Sequence, residues 1–308
     1  MLRPTLIEQS QREPRAKRGA LDSVRLTPLM ELTSGGAQIA VGLIDGPVVK
    51  DHPDLVSDHI REVAGKFKSA CTRLDSAACR HGTFVAGILS AKRSSSAPAI
   101  CPGCTLLVRS IFSELTPANG GMPNASPEEL AEAILDCVNA GAHVLNISAA
   151  IAQPSSKSER TLAEALDHAA RRGAVIVAAA GNQATMSSTI ITGHPWVIPI
   201  AACDLRGKPL NESNLGHSIG RHGLLAPGEQ ITSLGSEGQP LTLGGTSAAA
   251  PFATGAIALV WSQFPSASGA QLRWAFLHAY ARARSNVTPP LLNAWAAYQT
   301  LLATHSRR

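Results

Sequence analysis

The stretch Gln38-Ile39-Ala40-Val41-Gly42-Leu43-Ile44-Asp45 decides how the rest of the chain is read. It is apolar in both alternating registers, so it predicts a strand buried on both faces, as in a parallel sheet covered by helices. It ends on a carboxylate, Asp45, and the carboxyl ends of strands are where catalysis gathers in open α/β sheets. Moving outward, Thr105–Phe112, His143–Ile147 and Ala174–Ala179 repeat the apolar pattern. Helical segments separate these runs. Ser126-Pro127-Glu128-Glu129 predicts a capping box, with Ser126 as N-cap, Pro127 at the first helical position and Glu129 reaching back. Its helix runs to about Ala140 and stops at Gly141. Glu159–Arg172 is a second helix, closed by Gly173. Val197–Ala202 predicts a further strand, followed by turn-rich sequence through Glu237. Ser247–Phe264, Gly269–Arg282 and Leu291–Leu302 read as helices. Strand–helix alternation of this kind implies an α/β fold of three layers, a mostly parallel central sheet flanked by helices. No repeat or linker divides it, so residues 22–308 read as one domain.

Of 308 residues, 44% are hydrophobic and 16% charged, a balance that fills a core and excludes a disordered chain. The formal charge is +5. Part of it sits in residues 1–21, where Arg3, Arg12, Arg15, Lys17 and Arg18 face only Glu8 and Glu13. This segment reads as a flexible, solvated basic arm. No aromatic residues interleave with its charges, so no nucleic-acid partner is expected. Residues 1–30 lack the apolar core of a secretory signal, and no apolar run approaches the ~20 residues needed to span a bilayer. A cytoplasmic protein with no membrane partner is the expectation. Cys71, Cys79, Cys101 and Cys104 cluster in one region, with Cys101-Pro102-Gly103-Cys104 a CxxC pair. Local disulfides, free thiols and a zinc site all remain open. Disulfides would point instead to an oxidising compartment. Cys137 and Cys203 lie in apolar runs and read as small core residues.

Three stretches carry chemistry. Ile44-Asp45-Gly46-Pro47-Val48 sets a carboxylate at a strand end. His81-Gly82-Thr83-Phe84-Val85-Ala86-Gly87 has a histidine opening an Ala/Gly-rich helix that can pack tightly on a sheet. Gly245-Thr246-Ser247-Ala248-Ala249-Ala250-Pro251 puts a serine at the start of a helix. Singly, each has a plain structural use: a turn residue, a core histidine, an N-cap. In the order Asp, His, Ser they match one arrangement of the nucleophilic triad, and differ from the orders of chymotrypsin and of α/β-hydrolases.

This ordered set resembles the subtilase family. His52-Pro53-Asp54-Leu55 is similar to the loop after the family's Asp motif. Ala179-Ala180-Gly181-Asn182 is similar to the strand end that carries its oxyanion-hole asparagine. Ser213-Asn214-Leu215-Gly216 and Ala226-Pro227-Gly228 are similar to two structural turns before the serine. The resemblance spans residues 38–264. It implies the subtilisin-like version of the α/β fold and a serine endopeptidase, with Asp45, His81 and Ser247 as the catalytic triad and Asn182 as an oxyanion-hole donor. It also implies that a peptide or protein substrate binds as an extended strand against Ser148-Ala149-Ala150. The family is usually Gly-rich there, and the two alanines narrow the rim. No cofactor or metal is expected; the oligomeric state is open.

The chain departs from the common pattern at several positions. Asp45 is followed by Gly-Pro, not by Ser or Thr and Gly. Phe84 replaces a second histidine and Ala248 a methionine. None of these removes a reacting group. The Asp-Gly-Pro-Val variant, the short chain and the expected lack of a long propeptide are similar to the subtilases of cyanobactin-type peptide maturation, which cut a leader from a ribosomally made precursor. Two rivals stand beside proteolysis. A transpeptidase or macrocyclase would use the same triad under an added lid, and no insertion of that size is visible. A catalytically inactive fold could serve as a binding module, but intact Asp45, His81, Asn182 and Ser247 argue against it.

Overall fold

The computed structural model describes residues 19–115, 125–148, 156–279 and 287–305. Its centre is a seven-stranded sheet. Strand β1 (Ala40–Asp45) pairs in parallel with β3 (Thr105–Ser110) on one side and β4 (Val144–Ile147) on the other. Strand β2 (Ile60–Glu62) lies beyond β3. Strands β5 (Val175–Ala179), β6 (Val197–Cys203) and β7 (Leu224–Pro227) follow β4 in turn, all parallel. The order β2-β3-β1-β4-β5-β6-β7 reverses at β1. That makes the carboxyl end of β1, where Asp45 sits, the crevice of a topological switch point.

The helices, in chain order, are α1 (residues 19–23), α2 (Thr27–Leu32), α3 (Ala77–Ser90), α4 (Pro127–Asn139), α5 (Ser156–Arg171), α6 (Ile190–Gly193), α7 (His217–His222), α8 (Thr246–Gln263), α9 (Gly269–His278) and α10 (Ala294–His305). They bury the sheet on both faces, and the period of two along each strand assigns its residues to one core or the other. Val41, Leu43, Val175 and Val177 pack with side chains of α3, α8, α9 and α10. Ile44, Leu145, Ile176 and Ala178 pack with α4 and α5. Ala20 and Leu21 join the first core. Helix α8 is buried along nearly its whole length, including Ala248–Trp261. Such all-round burial explains why its sequence is apolar without amphipathic alternation.

Several local expectations are met with changes that have physical causes. Ser126 caps α4, its Oγ accepting from Glu129 N–H at 3.1 Å. The return half of the predicted capping box gives way, because the Glu129 carboxylate is engaged by buried Arg109 at 2.8 Å. Helices α4 and α5 end two residues before Gly141 and Gly173, both at positive φ. His81 does not open its helix: Ser76 is the N-cap, its Oγ accepting from Cys79 N–H, and His81 lies a turn inside. The turn-rich reading after Val197–Ala202 missed β7 and an antiparallel hairpin of β8 (Ile231–Leu234) and β9 (Pro240–Leu243). The last helix begins at Ala294, not Leu291, because Leu292 N–H donates to Leu225 and Leu225 N–H to Pro290, an extended pairing along β7. Of the predicted helix Gly269–Arg282, residues 280–282 lie outside the described residues. Among the described residues no helix is long and apolar enough to cross a membrane.

Candidate active site

Asp45 is fully buried at the end of β1. Its Oδ1 accepts from Gly46 N–H at 2.6 Å and meets His81 Nδ1 at 2.7 Å. The other ring nitrogen of His81, Nε2, lies 3.0 Å from Ser247 Oγ. The three residues that were far apart in sequence are therefore one hydrogen-bonded chain. Two glycines set its spacing. A methyl group on Gly46 would collide with the Ala78 carbonyl, and one on Gly82 with the carbonyls of Gly46 and Pro47. Helix α3 thus rests backbone to backbone on the end of β1, which brings the imidazole within reach of the carboxylate. Pro47 is accommodated because the segment after it is held by other contacts: Val48 bridges Ala70 and Val49 N–H donates to Thr83 Oγ1 at 3.1 Å.

Electrostatics at His81 oppose one another. Burial disfavours the imidazolium, while the Asp45 charge and hydrogen bond favour it. The balance raises its pKa above the usual histidine value of 6.5. With Nδ1 donating to Asp45, Nε2 is the nitrogen free to accept a proton from Ser247.

Ser247 sits in the first turn of α8, where helix N–H groups have no intrahelical acceptor and the dipole favours negative charge. Pro251, one turn on, has no N–H to offer the Ser247 carbonyl. The turn before Ser247 is built around Gly245, at φ +97°, where a side chain would press within 2.8 Å of Asn182 Nδ2. Asn182 is exposed and faces this turn: its Oδ1 accepts from Thr246 N–H at 2.9 Å. That bond uses the amide oxygen and leaves the Nδ2 donor outside it. Thr246 Oγ1 in turn accepts from Gly181 N–H at 3.0 Å.

Asn214, read from sequence only as part of a structural turn, does more. It accepts from Gln183 and Thr185 N–H through Oδ1, and donates to the Ala180 carbonyl through Nδ2. It thereby clamps the loop that carries Asn182. Ser148 is nearly buried, and its Oγ accepts from Asn146 Nδ2 at 2.8 Å. Ala149 and Ala150 lie outside the described residues. Beside Gly245 a cleft of ≈ 550 Å³ is lined by Leu210, Glu212, Gly228, Leu243 and Gly244 among others.

The remaining singled-out residues have structural places. His52 Nδ1 accepts from Asp54 N–H, which shapes the turn after β1. His143 accepts from Ala40 N–H and packs edge-on against Trp261. Cys71 and Cys79 form a disulfide that joins the loop before α3 to its first turn. Cys101 and Cys104 are buried and free, and Cys104 Sγ lies 3.7 Å from Ser262 Oγ. The two cysteine pairs therefore do not combine into one zinc site. Cys137 is buried in the core under α4 and Cys203 in a small cluster with Ala201, Ile219 and Leu225, as their apolar setting predicts, and burial pushes both thiols up to about 12.

Comparison with known proteins agrees with this geometry. The model of the subtilase family matches residues 36–293. Fervidolysin of Fervidobacterium pennivorans is 31% identical over 82% of this chain, which spans 39% of fervidolysin's own length. The protease domain of PatA, a patellamide maturation protease, is 29% identical and superposes with a TM-score of 0.77 over 88% of this chain and 97% of that one. The prenylagaramide maturation protease PagA is 26% identical, with a TM-score of 0.77 over 90% of this chain and 98% of its own. The parallel sheet, the Asp–His–Ser chain at its switch point and these likenesses together place the chain in the subtilase family of serine endopeptidases.

Proposed function

We propose that this chain cuts a ribosomally made precursor peptide, releasing a leader, with Asp45, His81 and Ser247 as its triad and Asn182 in its oxyanion hole. The observation that carries the reading is His81 bridging a buried carboxylate at 2.7 Å and a serine hydroxyl at 3.0 Å. Ser247 Oγ attacks the scissile carbonyl while His81 Nε2 takes its proton. Asp45 holds the ring in the required tautomer and stabilises the imidazolium. Asn182 Nδ2 and the Ser247 N–H receive the developing oxyanion. His81 then returns the proton to the leaving amine. Water, deprotonated by the same ring, frees the acyl group and restores Ser247. Ser148, at the end of β4, marks where an extended peptide adds alongside the sheet, and the cleft lined by Leu243 and Gly244, shortly before Ser247 in the chain, gives room for the peptide beyond it.

The precursor-peptide assignment is supported by the likeness to PatA and PagA, whose names record maturation of patellamide and prenylagaramide. It is tested by mass spectrometry of a cyanobactin-type precursor and of a random peptide library after incubation with the protein. A single cut between leader and core, with little library cleavage, is expected. Scattered cleavage of the library at rates equal to the precursor contradicts the precursor reading and leaves general proteolysis.

A further inference from the structure

A polar relay runs through the apolar core between the helix of Ser247 and the segment of Ser148. Thr254 Oγ1 donates to Asn146 Oδ1 at 2.8 Å, and Asn146 Nδ2 donates to Ser148 Oγ at 2.8 Å. Thr254 and Asn146 have no exposed surface, and Ser148 is 7% exposed. Asn146 stands in β4, paired with Leu43 on one side and Val177 on the other. Burying an amide and a hydroxyl in such surroundings is unfavourable unless each finds a partner. Here each does, and an all-apolar Val-Leu-X-Ile strand would have packed without them.

The relay's ends identify what it aligns. Thr254 follows Ser247 on α8 by about two helical turns, so it projects from the same side of the helix. Ser148 is the first residue past β4, and its N–H lies 3.4 Å from the Ile44 carbonyl, next to Asp45. One end thus belongs to the nucleophile's helix and the other to Ser148, which the proteolytic reading puts against the peptide. We propose that Thr254 and Asn146 are positioning residues, whose hydrogen bonds hold Ser148, at the end of β4, in register with Ser247. The inference rests on the proteolytic reading given above. It predicts a division between two reactions of the same serine. Attack on an extended peptide depends on that register. Phosphonylation by a small fluorophosphonate, which does not lie against Ser148, does not.

The test compares wild type with Thr254→Val, which keeps the shape and removes the donor, and with Thr254→Ser, which keeps the hydroxyl. In Thr254→Val, kcat on a cleavable peptide should fall by on the order of 10- to 100-fold. Its fluorophosphonate labelling rate, and the midpoint of its pH–rate profile, should stay near wild type. Thr254→Ser should restore most of kcat. Ser148→Ala breaks the relay at its other end and serves if Thr254→Val does not fold. The double variant should lose less than the sum of the two singles, since both interrupt one chain. Unchanged peptide kcat in Thr254→Val overturns the proposal. So does an equal loss of labelling and peptide cleavage accompanied by a lower melting temperature, which is a structural role only. Wild-type protein that neither labels nor cleaves instead overturns the proteolytic reading on which the proposal stands.

Discussion

At the scale of single residues, chemistry depends on how three environments differ. Asp45 is buried and hydrogen-bonded to His81; the pKa of His81 is raised above 6.5; Ser247 gains its acceptor from that ring. The general base must be neutral, so kcat/KM should rise with pH through a midpoint above the ordinary histidine value. Asp45→Asn removes both contributions that raise it and leaves burial, so the midpoint should move down while kcat falls by about 10⁴. A pH–rate profile of both proteins checks the sign. The same raised pKa implies that charged His81 stabilises the fold below pH 6.5, and that this contribution is lost as pH climbs through the raised value. Asn182→Ala should lower kcat by about 10²–10³ with little change in KM, because the amide meets charge that exists only in the transition state. These residues were legible from sequence because their motifs are contiguous and ordered. Asn146 and Asn214 were not, since their partners are remote in sequence. The available signal was a polar residue inside an otherwise apolar strand, Val144-Leu145-Asn146-Ile147, which demands a buried partner.

At the scale of elements, the site depends on how closely α3 approaches β1 and how α4 is tied to β3. A methyl at Gly46 or Gly82 forces helix and strand apart. Gly82→Ala should therefore destabilise the protein and also lengthen the Asp45–His81 contact, visible as a fall in kcat beyond what the loss of folded protein explains. Arg109 is buried on β3 and pairs with Glu129 at 2.8 Å and Asp136 at 2.9 Å, both on α4. Arg109→Ala leaves Glu129 buried without its cation, and should cost about 3–5 kcal/mol in denaturant unfolding. A loss below 1 kcal/mol would show that the pair is solvated in solution. Strands β1, β3, β4 and β5 were readable because each is a mostly apolar run bounded by turn or helix signals. Strands β7, β8 and β9 were hidden because each lies among Gly and Pro turn signals. The start of α3 was misplaced because its cap, Ser76, precedes a cysteine-bearing turn with no apolar period.

At the scale of the whole molecule, one sheet serves two cores. Alternate residues of the same strands face opposite sides, so neither core can melt while the strands remain whole. Trp196 packs against one core and Trp261 lies in the other. Variants that keep only one of these tryptophans should therefore show coincident thermal midpoints by fluorescence; separate midpoints would mean the faces unfold independently. The switch point at β1 explains why Asp45, His81 and Ser247, drawn from three distant motifs, converge at one end of this sheet. Covalent labelling tests that convergence most directly. A fluorophosphonate probe applied to the folded protein, followed by peptide mass mapping, should place a single phosphonyl group on Ser247. The label should disappear in Ser247→Ala and form far more slowly in His81→Ala. Folded wild-type protein that stays unlabelled, or that carries the label on another serine, would contradict the assignment of Asp45, His81 and Ser247 as a working triad.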